Sequence, residues 1–462
     1  MEEFRVQDFF YPRDLIRTYF RLRRSEQWTP TRMRAYQAER LARLIRHCAA
    51  EVPYYEHAFA ECGIDAGSIN PDTALAALRR LPVLDKDTLR DAAESFTARN
   101  AARYRPRAIH TSGTTGTPLT VYWDRGSNVM EFCCIQRLWR WAGFRIGQPF
   151  LDIRSRLFTG DEKHLVQADS ITYLRNPKPN AVEFNVDLID EDNVGRYYQV
   201  LLRYRPTLVR GHPQAIQQLV TLLAKQGLDA WQPKAVTTAS ETLYPFQRQE
   251  IERAWQVPIL DSYGLKEHNV FIAQCARGGY HISPEYGICE ILDADDEPVG
   301  PGEEGWIVAT GLHNYAQPLL RYHTRDRAVQ GSGNSCPCGR TLPTVDRIVG
   351  RIDDCIHSPD GRRYSGMHFA FFGRRGIQKA RLTQRTLDTV TVELVTTSAF
   401  DESERAALLD ALDRKVDHSI AFELSHVDRI EQKTPGKFKF VVSCVDAPVR
   451  THTDNRRVAK HD

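Results

Sequence analysis

The segment His110-Thr111-Ser112-Gly113-Thr114-Thr115-Gly116-Thr117-Pro118 alternates hydroxyl side chains with two glycines. Glycine lets a backbone turn tightly with its N–H groups pointing inward, and Ser and Thr donate hydrogen bonds to phosphate oxygens without adding charge. The pattern therefore predicts a loop that binds the phosphates of ATP, through Thr111, Ser112, Gly113, Thr114, Thr115 and Gly116. The same composition also fits a surface turn rich in Ser, Thr and Gly.

This loop lacks the features of the two standard nucleotide-binding motifs. No Lys follows its second glycine, as one does in a P-loop NTPase, and its glycines do not have the G-x-G-x-x-G spacing of dinucleotide-binding folds. The segment therefore indicates a different kind of phosphate chemistry.

Four further motifs follow the loop along the chain. They are Asp261-Ser262-Tyr263-Gly264-Leu265-Lys266-Glu267, Leu320-Arg321-Tyr322-His323-Thr324-Arg325-Asp326, Gly350-Arg351-Ile352-Asp353-Asp354 and Thr434-Pro435-Gly436-Lys437. Together with the loop they resemble the motifs of the adenylate-forming (ANL) superfamily. Three shorter segments are similar to its phenylacetate-CoA ligase and CapK-like branch: Val52–Tyr55, Leu81–Lys86 and Cys338–Arg340. The resemblance extends from about Ala49 to about Val442.

The resemblance implies an α/β fold with two domains. Residues 1–349 would form a large N-terminal adenylation domain of several subdomains, with β-sheets flanked by helices and a helical arm over about 1–60. Residues 350–354 would be a hinge centred on Asp353, and 355–462 a small, mobile α+β domain. The length of 462 residues agrees, because one hydrophobic core seldom supports so long a chain.

Apolar periodicity predicts individual elements. Ile216, Leu219, Val220 and Leu223 have helical spacing, so Pro213–Lys225 is predicted as an amphipathic helix, and Asp401 as the start of another. Short apolar runs predict strands at Ala235–Thr238, Ile259–Asp261, Ile288–Leu292, Trp306–Thr310, Val390–Val395, Phe422–His426 and Phe438–Cys444. Pro359-Asp360-Gly361 reads as a hairpin turn. Ligands of open α/β sheets bind at the carboxyl ends of strands, where Ser240, Glu241 and Asp261–Glu267 would lie.

The resemblance also implies a role for each motif. Lys437 would bridge the acid carboxylate and the α-phosphate, and Glu267 would hold Mg²⁺, which prefers carboxylate oxygen. Tyr263 would face the adenine, Asp326 would accept from the ribose hydroxyls, and Arg351 would reach the phosphate or ribose. The other nucleotide-binding candidates are Ser240, Glu241, Asp261, Ser262, Gly264 and Lys266.

The implied reaction is the activation of a carboxylic acid by ATP. Acyl-AMP forms, pyrophosphate leaves, and CoA then accepts the acyl group, as in an acid–CoA ligase. Two alternatives stay open: transfer to an amine, a carrier-protein thiol or another nucleophile in polysaccharide or natural-product biosynthesis, and a nucleotide-binding protein without catalysis. An aromatic acid is one option. The pocket candidates are Trp139, Trp141, His212, Pro213 and Ala239, although aromatic residues at such spacing also fit a core.

Three segments differ from the family pattern. Lys266 stands where the family usually has Thr beside the magnesium glutamate, and His323 and Arg325 replace the more usual Arg and Gly. The turn at Pro359-Asp360-Gly361 replaces a glycine-rich strand that often contacts CoA. The differences affect the phosphate side and the thioester step, and leave Asp326 in register.

Three cysteines and a histidine form a separate pattern. Cys275, His281, Cys336 and Cys338 supply three thiolates and one imidazole, the ligand set of a closed tetrahedral zinc site. A disulfide between Cys336 and Cys338 would be strained at that separation. The sequence therefore predicts structural zinc; the alternative is four unrelated residues.

The net charge and the hydropathy of the chain argue against other classes of protein. The net charge of +3 gives no electrostatic support for nucleic-acid binding. No apolar run approaches the roughly 18 residues that span a bilayer, and the acidic start Met1-Glu2-Glu3 is unlike a signal peptide, so we expect a cytoplasmic protein. The stretch Phe4–Arg24 fits a helical arm on the body, or a membrane or partner surface. A homodimer is the common expectation for such enzymes.

Overall fold

The computed structural model describes residues 12–110, 119–154, 164–168, 170–176, 180–333, 335–351, 356–360, 362–364, 367–371, 374–416, 418–430 and 439–445. The chain folds into two compact units. The first comprises Met1–Thr242 and Trp255–Val349, and the second comprises Leu243–Ala254 and Gly350–Asp462. Among the described residues, no helix is both long enough and apolar enough to cross a bilayer.

The helices in the described residues often begin at a proline. Proline is favoured at the first helical position, where its missing N–H has no intrahelical partner to lose. The helices are α1 (Pro12–Ser25), α2 (Pro30–Glu51), α3 (Pro53–Glu61), α4 (Pro71–Arg80), α5 (Lys86–Asp91), α6 (Arg125–Trp141), α7 (Val194–Tyr204), α8 (Pro213–Lys225), α9 (Pro245–Trp255) and α10 (Glu402–Lys415).

A large mixed sheet dominates the first unit. The strands of the described chain are β1 (Arg107–His110), β2 (Thr120–Trp123), β3 (Phe150–Arg154), β4 (Leu165–Ala168), β5 (Ile171–Asn176), β6 (Ala181–Asn185), β7 (Leu208–Gly211), β8 (Ala235–Ala239), β9 (Ile259–Gly264), β10 (Phe271–Gln274), β11 (Tyr280–Ile282), β12 (Gly287–Leu292), β13 (Glu304–Gly311), β14 (Tyr322–Gln330), β15 (Thr344–Arg351), β16 (Ile356–His357), β17 (Arg363–Tyr364), β18 (Ile377–Gln384), β19 (Thr389–Thr396), β20 (Ala421–His426) and β21 (Val441–Ser443). The large sheet has the order β12-β13-β14-β15-β11-β10-β9-β8-β7-β3-β6-β5-β4.

The middle of this sheet is parallel and carries the candidate site. Strands β6, β3, β7, β8 and β9 run in the same direction, so their carboxyl ends meet at one edge. Gly211 ends β7 where only glycine fits, because an added Cβ would lie 2.0 Å from the Ile153 carbonyl oxygen. This close approach of β7 to β3 leaves His212 just beyond the strand end.

Helix α6 packs on the parallel strands. Asp124 caps its first turn by accepting from the Ser127 N–H at 2.8 Å, while the Ser127 hydroxyl lies 3.2 Å from the Asp124 nitrogen, a reciprocal capping box. Buried side chains of α6, such as Leu138, belong to the same core as Phe150 and Leu208 of the sheet. The helix therefore lies along the strands that end at the candidate site.

The second unit is a smaller α+β body. Its sheet has the order β20-β19-β18-β21. Asp401 caps α10 by accepting from the Glu404 N–H at 3.0 Å. Residues 243–254 belong here because the Tyr244 ring packs on Phe440, with ring centroids 4.5 Å apart. Sequence patterns gave no sign of this excursion.

The structure confirms the predicted α/β class and most of the predicted elements. The helix at Pro213–Lys225 has the predicted limits, and strands β8, β9, β12, β13, β19 and β20 extend the predicted runs by one to three residues at an end. The strand predicted over Phe438–Cys444 is shorter, since β21 covers Val441–Ser443 and Phe440 instead buries its ring in the core. Strands β16 and β17 pair on either side of the predicted turn at Pro359-Asp360-Gly361. The domain limits and the hinge stay predictions.

Candidate active site

Several predicted site residues lie outside the described part of the chain. These are the loop residues Thr111, Ser112, Gly113, Thr114, Thr115 and Gly116, the hinge residue Asp353, and Lys437. Arg351 is described only by its backbone, as the last residue of β15. Their roles stay predictions. The described part of the site consists of the strand ends that precede or follow these residues in the sequence.

Two buried carboxylates, one three residues beyond β9 and one within β14, each accept a hydrogen bond from a phenol. The Tyr263 hydroxyl donates to Asp326 Oδ2 at 2.8 Å, and the Tyr322 hydroxyl donates to Glu267 Oε1 at 2.8 Å. We call these two contacts the phenol–carboxylate pairs. Burial, and then the neighbouring carboxylate, raises the pKa of each tyrosine well above its ordinary value, so both phenols stay protonated donors.

Glu267 also lies near a cation that sequence reasoning had given no role. The Nζ atom of Lys86 is 3.9 Å from Glu267 Oε1, and Glu267 is 6% exposed. The neighbouring backbone is fixed, because the Trp123 indole N–H donates to the Lys266 carbonyl oxygen. Lys86 lies in the segment Leu81–Lys86, which carried part of the resemblance, so a signal for it was present.

Asp261 holds the strand ends together. Its Oδ1 accepts from the Thr238 hydroxyl at 2.6 Å, and its Oδ2 accepts from the Tyr280 hydroxyl at 3.0 Å. The Ser262 hydroxyl donates to the Thr238 carbonyl oxygen at 2.9 Å. These bonds join β8, β9 and β11, so Asp261 shapes the site through its neighbours.

A cavity opens at the carboxyl ends of β3, β7, β8 and β9, and we call it the strand-end cavity. It encloses about 420 Å³ of space that is not occupied by atoms, part of it open solvent. Its lining residues are Ile135, Leu138, Trp139, Asp152, Arg154, Arg210, Gly211, His212, Thr237, Thr238, Ala239, Ser240 and Ser262.

The predicted pocket residues fall into different places. Trp139, His212 and Ala239 line the strand-end cavity, and Pro213 is the buried first residue of α8. Trp141 instead packs beside the cysteine cluster, with the Arg340 guanidinium 4.4 Å from its ring centroid. Ser240 has a φ of 71°, a left-handed conformation that is unusual for a non-glycine residue and often marks a functional site.

The cavity contains a charged group that sequence reasoning missed. Asp152 Oδ2 lies 3.3 Å from Arg154 Nη2 and 3.5 Å from Arg210 Nε, and Glu183 Oε2 lies 3.7 Å from Arg154 Nη2. Burial raises the pKa of Asp152, but the two arginines more than offset it, so the pKa lies below its ordinary value and the carboxylate is ionised. Asp152 and Arg154 stand two residues apart in one strand, a spacing that puts both on one face of the sheet.

His212 carries a second acidic partner in this region. Its Nδ1 lies 3.4 Å from Glu241 Oε1. Glu241 follows the strained Ser240, so β8 and β7 both deliver polar side chains to the same edge of the sheet.

The structure brings the predicted cysteine cluster together. One ligand atom from each of Cys275, His281, Cys336 and Cys338 lies within 4.8 Å of all the others. The sulfurs of Cys275 and Cys336 are 3.6 Å apart, and Cys338 Sγ lies 3.3 Å from His281 Nε2. Tetrahedral zinc with bonds of about 2.3 Å separates its sulfur ligands by about 3.8 Å, so this donor set fits the ion.

Two further contacts suit metal binding by this cluster. His281 Nδ1 faces the Leu342 carbonyl oxygen at 3.5 Å, which leaves Nε2 on the side of the thiols. Gly279 has no side chain where an added Cβ would lie 2.7 Å from Cys336 Sγ. The turn between β10 and β11 therefore leaves room for Cys336 to approach.

Comparison with known proteins agrees with this architecture. A family model described as the CapK C-terminal domain matches residues 360–444. The phenylacetate-coenzyme A ligase of Thermus thermophilus is 27% identical over 336 residues, which cover 70% of this chain and 72% of that protein. Protein CapK of Staphylococcus aureus is 20% identical over 382 residues, covering 80% of this chain and 81% of that protein. A crystal structure of 2-hydroxyisobutyryl-CoA ligase in the postadenylation state aligns with a TM-score of 0.68 at 18% identity, over 88% of both chains.

These likenesses support different conclusions. The structural match establishes the fold, and the sequence matches are to phenylacetate-CoA ligases, to CapK and to the CapK C-terminal domain. They agree with the five motifs that carried the resemblance. The chain is similar to the adenylate-forming (ANL) enzymes, in the branch that contains phenylacetate-CoA ligase and CapK.

Proposed function

We propose that this protein is an AMP-forming acid–CoA ligase. The observation that carries the proposal is the pairing of Glu267 with Tyr322 and Lys86 on the sheet that also bears the Tyr263–Asp326 pair and the strand-end cavity. These groups match the binding of a metal–nucleotide and of an organic acid at adjacent positions. The likeness to phenylacetate-CoA ligases supports CoA as the acceptor.

The chemistry follows from the poor reactivity of a carboxylate. A carboxylate oxygen attacks the α-phosphorus of ATP, the bond to the β-phosphate oxygen breaks, and pyrophosphate leaves with its electron pair. The thiol of CoA then loses a proton and attacks the acyl carbon, and AMP leaves. Both steps bring anions together, so positioning and charge neutralisation supply most of the catalysis.

Each described residue has a proposed task in the first step. Asp326, held by the Tyr263 hydroxyl, accepts from the ribose hydroxyls, while the Tyr263 ring faces the adenine. Glu267 is the residue that would hold Mg²⁺, which neutralises phosphate charge when bound. Lys86 lies near enough to Glu267 to orient its carboxylate. Lys437 and the 111–118 loop keep the phosphate-binding roles that their sequence implies.

A second acceptor class has its own support. The C-terminal part of the chain matches the CapK C-terminal domain, and the likeness to CapK covers more of the chain than the likeness to the ligases. Transfer to an amine, a carrier-protein thiol or another nucleophile in polysaccharide or natural-product biosynthesis is therefore the alternative. This family likeness favours both enzymes over the non-catalytic nucleotide-binding protein. An aromatic acid, a cytoplasmic location and a homodimer stay predictions.

Pyrophosphate release tests the function. Purified protein with ATP and Mg²⁺ is assayed against aryl and aliphatic acids, with and without CoA. We expect acid-dependent release that is lost in Lys437→Ala, and an acyl-CoA product when CoA is present. Acid-dependent release with no acyl-CoA would favour the alternative acceptors. A rate of ATP hydrolysis that does not depend on any of the acids would contradict adenylation.

We also propose that Cys275, His281, Cys336 and Cys338 bind structural zinc. The fit of their distances to a tetrahedral ion supports this, and so does their position, since the cluster joins the β10–β11 turn to the 336–338 segment. We expect about one zinc per chain by elemental analysis. Cys336→Ser should lower both the zinc content and the Tm, whereas Cys444→Ser, at an exposed thiol, should change neither. Purified protein free of zinc but fully stable would contradict the proposal.

A further inference from the structure

The strand-end cavity contains a buried hydroxyl without a partner. Thr237 is 3% exposed, lines the cavity, and its Oγ1 accepts or donates no hydrogen bond among the described residues. Its neighbour Thr238 differs, because the Thr238 hydroxyl donates to Asp261 at 2.6 Å. Buried polar atoms are almost always satisfied, and an exception beside a cavity indicates a group that a ligand satisfies.

Among the described residues around the cavity, the positive and negative charges balance one another. Arg154 and Arg210 carry two positive charges, and Asp152 and Glu183 carry two negative charges within 3.7 Å of them. A positive charge on His212 would not change this balance, because Glu241 Oε1 lies 3.4 Å from His212 Nδ1. A second ionised group on a ligand would therefore meet no excess of opposite charge, and its desolvation would go uncompensated. A neutral hydrogen-bonding group faces no such penalty.

The opposite side of the cavity is apolar. Ile135, Leu138 and Trp139 of α6 form this wall, and the Arg210 guanidinium lies 5.5 Å from the Trp139 ring centroid. The side chains of Arg210 and Arg154 are only 11% and 16% exposed, so their polar atoms lie in a largely dry environment. The cavity thus combines an apolar wall for a ring or short chain with a polar strand edge.

We propose that the acid bound by this protein has an apolar body and a neutral hydroxyl group away from its carboxylate, and that Thr237 recognises this hydroxyl. The inference rests on the proposed function, because it assigns the strand-end cavity to the acid. Thr237 Oγ1 exchanges a hydrogen bond with the substrate hydroxyl, and the guanidinium of Arg210 lies on the same cavity surface as a second donor. Thr237 is a specificity-determining residue that takes no part in the chemical step.

Matched acids that differ by one hydroxyl test the proposal by binding alone. The pairs are phenylacetate and 4-hydroxyphenylacetate, benzoate and 3-hydroxybenzoate, and butyrate and 3-hydroxybutyrate. Affinities are measured by calorimetry for the wild type, Thr237→Val and Thr237→Ser. We expect the hydroxylated member of at least one pair to bind about 10-fold more tightly, and Thr237→Val to remove the preference while Thr237→Ser retains it. Val matches Thr in shape, so a lost preference would report the missing hydroxyl rather than a change of fold.

Binding and activity fail in distinguishable ways. No preference for a hydroxyl in any pair, or a preference that survives in Thr237→Val, overturns the inference even if pyrophosphate is released. Stronger binding of terephthalate or succinate than of every hydroxy acid overturns it too, since it would show selection for a second charge. A Thr237-dependent hydroxyl preference without pyrophosphate release would uphold the inference about the cavity and contradict the proposed function.

Discussion

The phenol–carboxylate pairs and the strand-end cavity differ in the groups that lie beside their buried carboxylates. Glu267 and Asp326 each accept a hydrogen bond from a neutral phenol. In the cavity, Asp152 is neutralised by two arginines of the protein itself, and the unsatisfied atom is a neutral hydroxyl. The comparison supports the two proposals together: a charged ligand on the side of the phenol–carboxylate pairs and a neutral substituent in the strand-end cavity.

The largest effect should come from the charged side. Glu267→Gln keeps the shape and a hydrogen-bonding oxygen for Tyr322 but removes the negative charge proposed to hold Mg²⁺. We expect acid-dependent pyrophosphate release to fall by about 10²- to 10³-fold. The control is Glu39→Gln, which removes an exposed carboxylate on α2 and should leave the rate unchanged. A loss smaller than about 3-fold would show that Glu267 does not act on the phosphates.

The buried carboxyl of Glu131 tests how a hydrogen bond from a phenol affects the ionisation of a carboxyl that has no proposed ligand. Glu131 of α6 accepts from the Tyr286 hydroxyl at 2.9 Å, and burial raises its pKa from 4.5 to about 7. The folded state therefore binds the proton more tightly than the unfolded state, so this group's stabilising effect is complete below pH 4.5 and is lost as the pH rises to about 7.

Urea denaturation measures this effect. Between pH 5 and pH 8 the wild type should lose about 2 to 3 kcal/mol of unfolding free energy that Glu131→Gln retains. Parallel pH profiles for the two proteins would contradict the raised pKa. The result sharpens the comparison, because it would show that a phenol alone does not keep a buried carboxyl ionised at neutral pH.

A smaller effect should distinguish the roles of Tyr263 and Asp326, the two partners of one phenol–carboxylate pair. Asp326→Asn removes the charged acceptor for the ribose hydroxyls, and we expect the KM for ATP to rise by about 10-fold or more. Tyr263→Phe removes only the hydroxyl that orients Asp326 and keeps the ring, so a rise of a few-fold is expected. The two KM values from initial rates decide the point. Equal effects would mean that Tyr263 and Asp326 act as one structural unit rather than as ring and acceptor.

The sequence predicted the charged side of the site far better than the cavity. Asp261–Glu267 and Leu320–Asp326 are contiguous motifs, so order along the chain was enough to nominate Tyr263, Glu267 and Asp326 as candidates, whose roles stay predictions. The cysteine cluster was also predictable, since its chemistry restricts the residue types even over a long separation. The helix Pro213–Lys225 was predicted with its exact limits because its apolar spacing and its proline agree.

The polar residues Asp152, Arg210 and Thr237 of the cavity were missed for a physical reason. Asp152, Arg210 and Thr237 come from three strands that are adjacent only in the folded sheet, and parallel pairing requires long crossovers between them. Each residue alone looks like an ordinary strand residue. The excursion of residues 243–254 into the second unit was hidden in the same way, because the packing of Tyr244 on Phe440 joins positions far apart in sequence.

The smallest predicted effect would come from making the strand-end cavity more favourable to a charged ligand. Asp152→Asn removes one of the two carboxylates that lie within 3.7 Å of Arg154, so the cavity loses one negative charge. The ratio of dicarboxylate to hydroxy-acid affinity should then rise by about 10-fold, measured by calorimetry on the same acids as for Thr237→Val. The ionised state of Asp152 at neutral pH, which its lowered pKa implies, is what makes the substitution a change of charge. An unchanged ratio would mean that the arginines face the protein rather than the ligand, and selection in the cavity would then depend on Thr237 and the apolar wall alone.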